Sequence, residues 1–129
     1  MIDILDRYLA EISEQRKREF LGRYLGLEDD SLFSILGDRL TFGPRDDWQL
    51  TVASPDQELA GRGRLWFKEA TPRLRKVVQD AWRDDPQLED NVSAVQEVTE
   101  ILKRSDEEWP APILILAILL VKGGFLKHG

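Results

Sequence analysis

The sequence predicts a mainly α fold: a compact bundle of five or six helices around an apolar C-terminal helix, with a small β-hairpin near residues 39–53. Three observations carry this. Apolar residues recur at helical spacing near the N-terminus. Capping signals recur along the chain. A run without charge, Trp109 to Val121, precedes Lys122.

Element by element, Ile2, Leu5, Leu9, Ile12, Phe20 and Tyr24 fall on one stripe, interrupted by Arg16, and predict one helix through residue 25 with Gly26 as its stop. Leu32, Phe33, Ile35 and Leu36, closed by Gly37, predict one or two further helical turns. The period then changes. Leu40 and Phe42, then Trp48, Leu50 and Val52 across the loop 43–47, alternate with polar neighbours as a hairpin does. Ser54-Pro55-Asp56-Gln57 is a helix start, and the helix runs through Leu59, Leu65, Trp66 and Phe67, weakened by Gly61 and Gly63. Thr71-Pro72 repeats the start signal for a helix facing Leu74, Val77, Val78, Ala81 and Trp82 inward. Asp85-Pro86 opens another, striped by Leu88, Val92, Val95, Thr99 and Leu102. The last helix, from about Pro112 to Lys122, is apolar all round and stops at Gly123-Gly124, with Phe125 folding back. As 13 residues, the uncharged run spans roughly 20 Å against a hydrocarbon core of about 30 Å, so it reads as a core helix and not a membrane span.

At 129 residues the chain fits one domain, 1–129, with 42% hydrophobic and 33% charged residues as in ordinary globular proteins. There is no cysteine, and the only histidine is His128. Thiolate chemistry, disulfides, cysteine-held metals and histidine triads are thereby excluded. The acid pairs Asp29-Asp30, Asp46-Asp47 and Asp84-Asp85 lack the spacing of a calcium loop and read as helix caps and turn residues. No serine lies in a nucleophile elbow or a Ser-x-x-Lys motif. The expectation is a non-enzymatic protein with no catalytic residue, no cofactor and no metal. An acidic start in place of a basic one followed by an apolar run argues against a signal peptide, and the expected location is cytoplasmic.

Charge is segregated. The net charge is −6, which excludes a surface basic throughout, yet Gly61 to Arg83 carries seven basic residues against Glu69 and Asp80. From this island come the candidate partner-binding residues Arg62, Arg64, Trp66, Lys68, Arg73 and Lys76. Three uses are open: pairing with the acidic segments on either side, docking an acidic protein surface, or holding a nucleic-acid backbone beside Trp66 and Phe67. Gly61-Arg62-Gly63-Arg64 lacks the Lys-Ser/Thr ending of a phosphate loop. Four tryptophans suit a contact surface, where aromatic side chains with a polar tip are enriched.

The C-terminal half carries Trp66-Phe67, then Ala70-Thr71-Pro72-Arg73-Leu74-Arg75-Lys76-Val77-Val78, then Pro110-Ala111-Pro112 and Ile113 to Phe125. It resembles helical accessory modules of bacterial defence and conflict systems. The chain departs from that pattern in lacking cysteines near Val78 and at the end. The resemblance carries over no catalytic residue. It implies an adaptor or regulatory module that binds another protein. The expected function is thus a protein-interaction module, self-associating or a subunit of a defence complex, with a nucleic-acid-binding regulator using segment 62–76 as the alternative.

Overall fold

The computed structural model describes residues 2–46, 56–81, 90–105 and 107–123. They form six helices: α1 (Ile4–Glu11), α2 (Glu14–Leu25), α3 (Asp29–Phe42), α4 (Gln57–Ala81), α5 (Asn91–Arg104) and α6 (Ile113–Lys122). The mainly α bundle is as the sequence predicts. Among the described residues there is no strand.

Every residue of α6 from Leu114 to Val121 is buried. An apolar surface on all sides must be covered on all sides, so α1, α2, α3 and α5 pack around α6. No helix among the described residues is long and apolar enough to cross a membrane.

The sequence predicts one helix where α1 and α2 stand. Ser13 breaks it: its hydroxyl accepts from Arg16 N at 3.4 Å and caps α2, while Ile12 turns extended. A serine hydroxyl competes well with the helical ladder, and no core contact here overrides it. Ile2, counted on the inward stripe, is 65% exposed.

The predicted hairpin is not found. Residues 39–42, its first strand, finish α3, which runs through Gly37 and stops at Gly43, where φ is +82°. The alternation of Leu40 and Phe42 misled because Leu36 and Leu40 also stand four apart, a helical contact. Residues 47–53 of the hairpin lie outside the described residues, as do Ser54-Pro55, Trp82, Asp84-Asp85-Pro86, Phe125 and His128.

The two helices predicted on either side of Thr71-Pro72 are one helix, α4, with Pro72 inside it. Interior proline costs a helix about 3 kcal/mol. Stopping at residue 71 would strip Leu74 and Val78, both fully buried, from the core, at ~1.5–3 kcal/mol each. Burial wins. Pro72 is exposed, so the carbonyl it leaves without an amide, that of Lys68, lies on the outward face. The observed cap is Asp56, whose carboxylate accepts from Glu58 N and Leu59 N at 2.9 and 3.1 Å.

Two glycines let α3 and α4 touch backbone to backbone. A Cβ on Gly37 would stand 1.8 Å from Leu59 O, and one on Gly63 2.2 Å from Phe33 O. Gly37, expected to end a helix, and Gly63, expected to weaken one, are both the condition for this pairing. Gly61 has nothing within 4 Å of its missing Cβ.

The N-terminus is fastened by a buried ion pair. Arg39, 1% exposed, donates from Nε to Asp3 Oδ2 at 2.7 Å and from Nη1 to Asp38 Oδ2 at 2.9 Å. Arg45 N also donates to Asp3 Oδ2, at 2.9 Å, and Ile4 N donates to Arg45 O at 2.7 Å. The other Asp3 oxygen caps α1 through Leu5 N at 3.0 Å.

Urea unfolding is expected to rank four variants. Gly63→Ala loses more than ~2 kcal/mol, because the clash is with backbone. Gly61→Ala gains ~0.5–1 kcal/mol from helix propensity. Asp3→Ala loses ~3–5 kcal/mol by taking from buried Arg39 one of its two carboxylate partners and from α1 its cap, whereas Glu14→Ala, which breaks the exposed pair with Lys17, loses under ~1 kcal/mol. Equal losses at Gly61 and Gly63 would exclude the close approach.

Candidate functional site

All six candidate residues lie on α4, but not on one face. Turned by 3.6 residues per turn, Arg62, Trp66, Arg73 and Lys76 fall toward one flank of the buried stripe, and Arg64 and Lys68 toward the other. Ala60, Gly63, Ala70, Leu74 and Val78 define that stripe.

Three of the arginines are engaged within the chain. Arg62 donates to Glu58 Oε1, one turn earlier, and to Thr41 Oγ1, both at 3.3 Å. Arg64 binds Asp30 and lies 4.7 Å from the Phe33 ring centroid. Arg73 pairs with Glu107 at 3.3 Å and lies 4.7 Å from the centroid of Trp109. These are half-exposed contacts worth little individually, and they join α4 to α3 and to the segment before α6. Trp66 is half-buried and packs against the core.

Lys68 and Lys76 are different. Both are exposed, and neither makes an ion pair or hydrogen bond with a described residue. They straddle the line of α4 that points furthest from the core. On that line lie Leu65, 62% exposed, and Pro72. The angle of Leu65, about half a turn from Ala70 and Leu74, places it outside. Besides Leu65, the described residues leave two large apolar side chains exposed. Phe42 is covered in part by the Arg45 guanidinium, 5.0 Å from its centroid, and Ile2 lines a cleft.

Two clefts flank α1. One of about 390 Å³ opens toward α2 and α5, with Leu9, Glu14, Leu21 and Glu100 in its walls. The other, about 640 Å³, opens toward the segment before α6, with Ile2, Arg7, Trp109 and Pro110. Asp6 and Lys103 line both. Asp6 is committed to the fold. Its two oxygens accept from Ile113 N and Leu114 N at 2.9 and 3.0 Å, capping α6 from another helix, where Pro112 has no side-chain donor or acceptor to give.

Burial pushes the Asp6 carboxyl above its ordinary value, outweighing the pull of the Leu114 and Ile113 amides and of Lys103. Burial also works against the Asp38 carboxylate, but the Arg45 hydrogen bonds and the charges of Arg45 and Arg39 hold it below the ordinary value. Asp90, which caps α5, is lowered by the Ser93 amide and hydroxyl and by Arg18.

Among the described residues no group of three or more acidic or histidine side chains is arranged to hold a metal ion. The acid pair Asp29-Asp30 is split between Lys122, at 3.0 Å from Asp29, and Arg64 on Asp30. No family model, curated protein or solved structure matches the chain.

The two carboxyls give opposite pH signatures. A raised carboxyl stabilises the fold most below its unfolded value, here 3.8, and that contribution is lost as pH climbs through the folded value. The stability difference between wild type and Asp6→Asn should therefore fall as pH rises from about 4 and then level off. For Asp38→Asn the difference should be constant above about 4 and shrink as pH falls. Urea unfolding across the acid range reads both, and parallel curves for the two variants would refute the assignment.

Proposed function

We propose that the chain is a non-enzymatic protein-interaction module, an adaptor or regulatory subunit that docks an acidic surface of another protein on the outward face of α4. The observation that carries this is the pair Lys68 and Lys76, which pair with no described residue and flank exposed Leu65 in a chain of net charge −6. An uncovered leucine and two cations unpaired among the described residues, on one 25-residue helix, supply an apolar anchor and a charge preference together. A cytoplasmic location and, on the resemblance of the C-terminal half, membership of a bacterial defence complex belong to the same proposal.

The alternative, a nucleic-acid-binding regulator, is disfavoured by the commitments of Arg62, Arg64 and Arg73. With Arg75 engaged as well, the two cations of α4 that pair with no described residue fall short of the roughly six to ten phosphate contacts of a typical binder.

The test is copurification of the tagged chain from its own cells, with the retained protein identified and the complex rebuilt from purified components. Lys68→Glu/Lys76→Glu is expected to weaken the rebuilt complex at least about tenfold, and Lys103→Glu, away from α4, to leave it unchanged. A complex indifferent to the double variant would reject α4 as the docking surface. Binding of RNA or single-stranded DNA at low salt, lost steeply as salt rises, would favour the alternative.

A further inference from the structure

α1 is joined to α2 through Ile12 and Ser13, both extended. Their chemistry does not forbid a helix. No proline or glycine stands between Ile4 and Leu21, and isoleucine and serine are middling helix formers. The bend leaves the first amides of α2 without carbonyl partners in the helix, and its side-chain cap is long, with Arg16 N donating to Ser13 Oγ at 3.4 Å. A straight helix would pair the amides of residues 13–16 with the carbonyls of residues 9–12. In exchange for these bonds the bend lets α1 lie against the bundle.

The seat of α1 is chemically specific. Ile4, Leu5 and Leu9 are buried in it, the Tyr8 ring stands 4.9 Å from that of Phe20 between centroids, and a cleft opens on either side. Asp3 accepts from buried Arg39 and from the amide of Arg45, and Asp6, about one turn on, caps α6. An empty seat would expose an apolar floor, take a carboxylate from Arg39 and uncap α6. Its occupant therefore needs two carboxylates three positions apart, set among Ile4, Leu5 and Leu9. α1 has that chemistry, and so does α1 of a second copy.

We infer that α1 is an exchangeable element, and that its partner is a second copy of this chain. In the exchanged form α1 and α2 straighten into one helix, and each copy seats its α1 on the other's α6. Every contact of α1 with the bundle is then made between copies instead of within one. The exchange is reciprocal and closes as a two-fold dimer. Only the link at Ile12-Ser13 changes conformation, so local helix preference and chain concentration together set the balance. The inference uses α1 and not α4, and stands apart from the docking reading above.

The experiment refolds the full chain from urea at high concentration and reads its mass by light scattering behind size exclusion, before and after dilution. Two substitutions at one residue push the link in opposite directions. Ser13→Ala removes the cap of the bent form and suits a straight helix. Ser13→Pro fits the bent backbone, where φ is −68° and Ile12 is extended, but it denies the straight helix an amide and clashes with the preceding turn. The wild type is expected to give a dimer that separates only slowly on dilution. Ser13→Ala should lower the dimer dissociation constant at least about tenfold, since the cap it removes is lost by both closed monomers. Ser13→Pro should give monomer alone with the wild-type circular dichroism. In the dimer the Cα chemical shifts of Ile12 and Ser13 should move from extended to helical values.

Wild type and Ser13→Ala that stay monomeric at every concentration overturn the inference. So does a dimer undiminished by Ser13→Pro, or one in which Ile12 and Ser13 keep extended shifts. Such a dimer is built on the outer surface, and its loss with Leu65→Asp would assign it to α4. Where Ser13→Pro loses the native dichroism, the response to Ser13→Ala and the two shifts decide.

Discussion

The bundle is organised around the need to bury a helix that has no polar side. From Leu114 to Val121 α6 offers water nothing to bond, so other helices must enclose it completely. Enclosure creates a second requirement at its N-terminus, where the first amides have no partner in the helix and water is displaced. Pro112 cannot supply a side-chain oxygen. Asp6 does so from α1, more than a hundred residues away in sequence, at the cost of a carboxyl whose burial raises its proton affinity. The same helix that covers α6 therefore caps it. The Asp3–Arg39 pair then holds α1 down at its start. Loss of either acid would act on the core as a whole rather than on a local contact.

The pairing of α3 with α4 depends on a different constraint, steric rather than polar. Backbone atoms meet where Gly37 and Gly63 face the other helix, and this sets α4 close enough for Arg62 to reach Thr41 and Arg64 to reach Asp30. Those contacts use up charges that the sequence alone shows only as a cluster. The glycines thus decide, indirectly, which cations of the island are left for anything outside the chain.

Much of the fold was legible in the sequence because period and caps are local signals. α6 lies where its stripe places it, and its burial follows from the lack of charge from Ile113 to Val121, whereas α5 carries the later part of its predicted stripe but starts at Asn91, capped by Asp90, and not at Asp85-Pro86. What was not legible depended on tertiary context. Thr71-Pro72 has the local form of a helix start, and only the burial of Leu74 and Val78 keeps α4 whole. Leu40 and Phe42 alternate like a strand but finish a helix. The island of Arg62 to Lys76 is real as a charge cluster, but counting charges could not say which were spoken for. Leu65 was overlooked as a surface residue although the signal was present. Its position half a turn from Ala70 and Leu74 marks it as outward once 57–81 is read as one helix instead of two.

That last error shows how element boundaries control functional reading. With a break at Thr71, residues 57–70 and 72–82 have independent phases, and no common outward line can be drawn through Leu65 and Lys76. With α4 continuous, the phase is fixed by Gly63, Ala70, Leu74 and Val78, and everything opposite them belongs to one surface. Lys68 and Lys76, drawn from opposite flanks of the six candidates, then stand on either side of that line, while the arginines turn toward Glu58, Asp30 and Glu107. Arg62 also reaches Thr41 on α3, Arg64 reaches Asp30 and Arg73 reaches Glu107, whereas Lys68 and Lys76 pair with no described residue. A helix that buries one face and uses its flanks to hold position leaves its outward side to solvent, and on α4 that side carries Glu58 and Glu69 as well as Leu65, Pro72 and Lys76.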